Sequence, residues 1–246
     1  TYGVLDELYT SKANDANEIM DFGAKVFGDG TQFKLWAPTA TKVEVLLFDK
    51  DKQPLTPASL AMQEDKKTGT WRAKSAQQLE FHYYQYKLTV FHPVSNRFET
   101  VVTTDPYSLS LSTNSQYSQV VDLTHPKTQP QGWAEQTLAE LDAPEDLILY
   151  ETHIRDFSAT EKKLSNLVFR GKYKAFGETD SYGMRHLIKL RDAGLNTIHL
   201  LPTYDISTVD EAPGQALGLD DSLAIVCRAF PSLEACDEKD LSLSLR

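Results

Sequence analysis

From Thr31 onward, apolar side chains recur at every second position. In "TQFKLWAP" (31–38) Phe33 and Leu35 share one face, and in "KVEVLLF" (42–48) Val43, Val45 and Leu47 do the same. That period is the one a half-buried strand imposes, because successive side chains point to opposite faces. "PTAT" (38–41) joins the two stretches as a short turn, and "DKDKQP" (49–54) ends the second with charge and proline. Further strands are predicted at "GTWRAK" around Trp71, at "FHYYQYKLTVF" (81–91) and at "NRFETVVT" (96–103), the last two joined by "HPVSN" as a long hairpin. Turn signals about every ten residues, with almost no helical period between them, predict a β-sandwich that ends near residue 123.

The pattern changes after "THPKTQPQGW" (124–133), a connector rich in Pro and Gln. "LILYETHI" (147–154) begins as a continuous apolar run, the kind buried on both faces in a parallel sheet. From Asp180, Met184, Leu187, Ile188 and Leu190 lie at helical spacing up to Gly194, a natural C-terminal stop, and "LNTIHLLP" (195–202) predicts a second buried strand. Strand, helix, strand in this order is a βαβ unit, with a right-handed crossover and loops gathered at the strand C-terminal ends. Near the start, Leu5, Leu8 and Tyr9 at i, i+3, i+4 predict a short helix over 5–20. No third strand-helix pair follows Pro202.

Composition narrows the function more by exclusion than by proposal. At 246 residues, 41% hydrophobic and 24% charged, the chain has room for one large domain or two smaller ones and the make-up of a folded globular protein. The mean hydropathy of -0.40, with no apolar run near the roughly 20 residues that cross a bilayer, excludes a membrane span. The first residues, "TYGVLDELYTSKAND", lack the basic-then-apolar order of a signal peptide. The formal charge is -10, and the 25 Lys and Arg residues form no run able to track a phosphate backbone, so nucleic acid is excluded as a partner. A neutral ligand such as a sugar meets no penalty from this charge. Cys227 and Cys236 are either a disulfide closing a short loop, worth about 2–3 kcal/mol, or two free thiols. At this spacing they supply only half a zinc shell.

Candidate chemistry concentrates at 151–156, where Glu151, His153, Arg155 and Asp156 stand together. Glu151 and Asp156 are five residues apart, which on a strand means roughly 16 Å and opposite faces, too far for two carboxylates to act together on one bond. Glu151, His153 and Arg155 share a face at period two, so the cluster reads as ion pairs fixing a strand end, with a place at an active-site floor as the other reading. A metal held by Glu151 and His153 would need His186 or His199 as a further ligand, and His199 within its apolar strand reads as a core histidine. Tyr204 and Asp205, just after the second strand, either line a sugar subsite or form a loop whose carboxylate bonds its own turn. Trp71 is a candidate sugar platform, as are Trp36 and either Tyr83 or the Tyr84/Tyr86 pair, whichever side of the alternation faces outward.

"YETHIRDFSA" (150–159), "FRGKYKAF" (169–176) and "HLIKLRDAGLNTIHLLPTYDISTVDE" (186–211) resemble the opening of the catalytic barrel of pullulanases and limit dextrinases, in the α-amylase superfamily. "FKLWAPTATKVEVLLFD" (33–49) and "TDPYSLSLSTNSQYSQVVDL" (104–123) resemble the starch-associated β-sandwich that precedes that barrel. The resemblance implies a multidomain β plus α/β chain. Its expected parts are a lead-in at 1–24, an immunoglobulin-like β-sandwich at 25–135, and the first βαβ unit of an incomplete (β/α)8 barrel at 136–246.

The activity so implied is retaining hydrolysis of α-1,6-glucosidic branch linkages in pullulan, amylopectin and limit dextrins. Its catalytic carboxylates would sit on the fourth and fifth barrel strands, beyond Arg246, so these 246 residues alone are expected to be inactive. Expected partners are an α-glucan and the remainder of the barrel, in the same or another chain, and the expected location is secreted or cell surface. Calcium is common in the superfamily, yet no EF-hand-like loop is present and no metal ligands are assigned. A non-catalytic carbohydrate-binding or assembly module with a vestigial barrel segment is the alternative.

Overall fold

The computed structural model describes residues 19–137, 141–204 and 210–212, and the chain divides into two units, Thr1–Trp133 and Ala134–Arg246. Most of the expected helix over 5–20 lies outside the described residues, as do Asp205, Cys227 and Cys236.

The first unit is a sandwich of two antiparallel sheets. One has the order β1 (Gly23–Phe27), β2 (Gly30–Trp36), β6 (Thr70–Ser75), β5 (Gln63–Asp65). The other runs β4 (Pro54–Ala61), β3 (Ala40–Phe48), β7 (Tyr83–His92), β8 (Arg97–Thr103), with β9 (Ser118–Gln119) added beside β7. The alternating pattern dictates which side faces in. Phe33 and Leu35 of β2 meet Val43, Val45 and Leu47 of β3 and Tyr84, Tyr86 and Leu88 of β7 in one buried cluster. Each large side chain so buried contributes about 1.5–3 kcal/mol of transfer free energy.

The turn at 37–39 carries the chain from one sheet to the other, so the two clearest strands of the sequence never pair with each other. At the β1–β2 hairpin, Gly30 has φ +131, and a Cβ there would run into the Ser75 carbonyl oxygen, so only glycine fits. The 92–96 hairpin forms as expected, with His92 opposite Arg97. Four strands were not anticipated. β1, β5 and β9 are short, and β4 carries Pro54 and Pro57, which is why it lies at a sheet edge where no ladder donor is missed.

In the second unit β10 (Leu149–His153) and β11 (Thr197–Leu201) pair in parallel, Leu149 opposite Thr197 through His153 opposite Leu201. Between them run a short helix α1 (Ile154–Ser158), a looped segment of 3-10 turns, and helix α2 (Tyr182–Asp192). Both ends of α2 are closed by identifiable bonds. Ser181 caps the start, its Oγ accepting the Met184 N–H at 3.2 Å. Gly194, at φ +114, ends it in a Schellman motif: Leu195 N–H donates to Leu190 O and Gly194 N–H to Arg191 O, each at 2.9 Å. Asn196 then splices α2 to the sheet, accepting the Ile148 N–H at 2.9 Å and donating to Asp146 O at 2.8 Å.

The expectation of strands buried on both faces does not hold for these residues. Leu149 is 47% exposed, Ile198 43% and Leu201 38%, because among the described residues this unit's sheet has two strands, whose faces those residues cover only in part.

Candidate functional site

The cluster at 151–156 is split by a change of secondary structure. β10 stops at His153, and Arg155 and Asp156 belong to α1. The period-two face therefore holds Glu151 and His153 but not Arg155. His153 is the N-cap of α1, its Nδ1 accepting the Arg155 N–H at 3.1 Å and lying 4.0 Å from Asp156 Oδ1. Glu151 instead pairs with His199, its register partner on β11, with Oε2 and Nδ1 2.9 Å apart. His199 is thus not a core histidine, since its side chain is half exposed. Among the described residues no three His, Cys, Asp or Glu side chains converge to hold a cation such as calcium. Tyr204 stands three positions beyond β11 and is 78% exposed.

At the other end of this loop region, Glu161 is buried against the start of α2. Its carboxylate accepts four backbone N–H groups: Lys162 and Lys163 at 2.8 Å, Tyr182 at 2.6 Å and Gly183 at 3.2 Å. Burial would raise this carboxyl, but the four donors outweigh it and hold the group below its ordinary range. Gly183 also lets the Phe157 ring lie against the helix, where it stacks on Phe176 at 4.2 Å between centroids.

In the sandwich, the aromatic candidates separate by face. Trp71 points into the core at 5% exposure and its indole N–H donates to Ala37 O at 3.0 Å, so its ring is not offered to a sugar. Trp36 is held by Thr68 O at 2.9 Å. Tyr84 and Tyr86 face inward, and Tyr83 faces outward. Its register partners are Phe48 on β3 and Gln119 on β9. Tyr117, just before β9, meets Phe48 edge to face at 5.0 Å and Tyr83 at 6.1 Å. Lys52 Nζ stands 5.6 Å from both tyrosine rings, presented by a turn in which Asp49 Oδ1 accepts the Asp51 and Gln53 N–H groups. Gln85, two residues along the same face, donates to Gln116 O at 2.7 Å. Half-buried rings flanked by an amine and amides can meet both the apolar face and the hydroxyls of a sugar. Phe48, Lys52 and Tyr117 were missed from the sequence, although Phe48 has the outward parity next to inward Leu47.

On the inner side of the same strands lies Asp105, 4% exposed. Its carboxylate accepts Tyr84 OH at 2.7 Å, Tyr86 OH at 3.4 Å and Tyr107 N–H at 2.8 Å, and its own N–H donates to Ser118 Oγ at 2.8 Å. Burial pushes this carboxyl up, and the three donors pull it back without cancelling the rise. Burial and the neighbouring charge push both tyrosine hydroxyls far above their usual range.

Comparison with known proteins agrees with this architecture. Residues 21–108 match the carbohydrate-binding module 48 (isoamylase N-terminal domain) family. A pullulanase of Klebsiella pneumoniae is 35% identical over 244 residues, which is 96% of this chain and 22% of that protein. Pullulanase 1, chloroplastic, of Arabidopsis thaliana is 36% identical over 227 residues, 90% of this chain and 22% of the relative. The chain therefore spans about a fifth of the length of these relatives. Among solved structures, the maltotriose complex of PulA from Klebsiella pneumoniae matches 96% of this chain and 26% of its own with a TM-score of 0.86 at 34% identity. The pullulanase from Bacillus acidopullulyticus matches 78% of this chain and 23% of its own with a TM-score of 0.65, also at 34% identity. The chain is thus similar to pullulanases along nearly its whole length, and its residues 21–108 match the carbohydrate-binding module 48 family of the isoamylase N-terminal type.

Proposed function

We propose that the chain is the N-terminal portion of a secreted or surface pullulanase-type glycoside hydrolase that cleaves α-1,6-glucosidic branch linkages with retention. In this reading residues 1–24 lead in, 25–135 form the starch-associated module, and 136–246 open the (β/α)8 barrel. The observation that carries it is identity sustained at 35% over 244 residues, spanning both the sandwich and the parallel strand pair. The exposed Leu149, Ile198 and Leu201 support the barrel reading, since neighbouring strands and helices would cover them. Glu151, committed to His199, and Asp156, near His153, are scaffold, and the exposed Tyr204 just beyond β11 is the candidate for a sugar subsite. The retaining carboxylate pair is contributed from outside these residues, by the rest of the barrel.

The sandwich contacts the α-glucan through Phe48, Tyr83 and Tyr117 rather than Trp71, because those rings cluster on the outward face beside Lys52 while Trp71 is buried in the core. A chimera tests the enzyme reading: the matching segment of the Klebsiella pneumoniae pullulanase is replaced by this chain and release of reducing ends from pullulan is measured. Turnover within about tenfold of the parent is expected, while the 246-residue chain alone gives none. A folded chimera that binds pullulan but fails to cleave it would count against the assignment, as would turnover by the isolated chain.

A further inference from the structure

The aromatic face described above depends on a strand of two residues. β9 contributes only Ser118 and Gln119 to the sheet, paired with Tyr84 and Tyr83. Two ladder positions cannot by themselves fix a segment against the entropy of the loop that carries it. On its outer side the segment is held by the 110–112 stretch, with Ser112 N–H donating to Tyr117 O and Tyr117 N–H to Ser112 Oγ, and on its inner side by bonds that meet at one residue. Asp105 marks the point where the chain leaves β8. Its carboxylate holds Tyr84 and its N–H holds Ser118, the two members of a single rung between β7 and β9. The same carboxylate anchors the outgoing loop through the Tyr107 N–H.

We propose that Asp105 is the positioning residue of the glucan-binding face. From the buried side it clamps the rung whose neighbours, Tyr83 and Tyr117, form the platform on the exposed side. Gln119 locks the position after Ser118, donating from Nε2 to Phe81 O at 3.2 Å and accepting Ser110 Oγ at 2.9 Å, and Tyr117 before it donates its N–H to Ser112 Oγ at 3.0 Å, so Ser118 is the inner anchor of a segment held on both sides. The inference rests on the reading that this face binds α-glucan, and the test separates the two.

Maltohexaose affinity of the full chain is measured by calorimetry at 25 °C for the parent, Y83A, Y117A, D105N and the pair D105N/Y117A. D105N keeps the side-chain volume, an acceptor for the Tyr107 N–H and the backbone bond to Ser118, but loses the carboxylate oxygen that accepts Tyr84 OH, the β7 half of the clamp. It is expected to weaken binding about tenfold, the share of one displaced aromatic contact. In the Y117A background it should add nothing, because a residue acting through Tyr117 has no further effect once that ring is gone. Loss of binding in Y83A or Y117A alongside D105N affinity within about twofold of the parent would overturn the positioning role. If both tyrosine variants bind like the parent, the face is not the glucan site. Asp105 is then judged by the aromatic proton shifts of Tyr83 and Tyr117, where unchanged shifts in D105N refute the clamp. Should D105N fail to fold, Ser118→Ala cuts the same rung from the β9 side with the same expectations.

Discussion

Glu161 offers the sharpest test of how the second unit is held together. The first four N–H groups of a helix lack intrahelical acceptors. In α2 all four are accounted for: Ser181 N–H donates to Glu178 O at 2.9 Å, Met184 N–H to Ser181 Oγ, and the two between them, Tyr182 and Gly183, to Glu161. Glu161→Ala removes the acceptor of those two and of the loop donors Lys162 and Lys163. Loss of capping at the helix start costs about 0.5–2 kcal/mol and loss of the negative charge there about 0.3–1 kcal/mol. The loop donors can turn to water, so each adds less than the roughly 1.5–3 kcal/mol of a bond to a charged group. The expected total is about 2–4 kcal/mol, and Glu161→Gln, which keeps one acceptor oxygen, should lose about half of it. Urea unfolding followed by circular dichroism gives the free energy, and amide exchange at Tyr182 and Gly183 localises it.

The sign with pH follows from the depressed carboxyl. Its contribution is fully present above the ordinary value of 4.5 and is lost as pH falls through the lower folded value, so the gap between parent and Glu161→Ala should close in acid. A gap under about 0.5 kcal/mol at neutral pH, or unchanged protection of the two amides, would refute the assignment.

Two further outcomes are expected. Asp105 has the opposite sign to Glu161: with its folded value raised, its contribution is fully present below 3.8 and is lost as pH rises through the folded value. The stability of the parent relative to Asp105→Asn should therefore fall across that window in urea titrations, and a flat difference would contradict burial as the cause. Trp71→Phe deletes the bond to Ala37 O and part of a core ring, so it should lower the unfolding free energy by about 1–2 kcal/mol while leaving maltohexaose affinity unchanged; weaker binding at unchanged stability would return Trp71 to the site.

How far the sequence reaches depends on whether a feature is local. The strands with clean alternation, β2, β3 and β7, were legible because burial of one face repeats along consecutive residues. The stop at Gly194 was legible because the left-handed backbone needed there suits glycine. Even the inward turn of Trp71 had a local sign: Arg72 and Lys74 take the outward positions of β6, leaving Trp71, Ala73 and Ser75 for the core. The Glu151–His199 pair had none, because the two are 48 positions apart and meet only through the register of a parallel ladder. The break between His153 and Arg155 was hidden for a related reason, since a histidine that caps a helix and one that continues a strand look alike until the chain turns. The glucan face combines both kinds. Tyr83 could be placed by parity up to a choice of face, but Tyr117 reaches it through a two-residue strand that no period announces, and the Asp105 N–H that holds this strand lies on the opposite side of the sheet. A binding surface assembled from one regular strand and one tethered loop is therefore half legible at most, and the illegible half is the part most exposed to single substitutions.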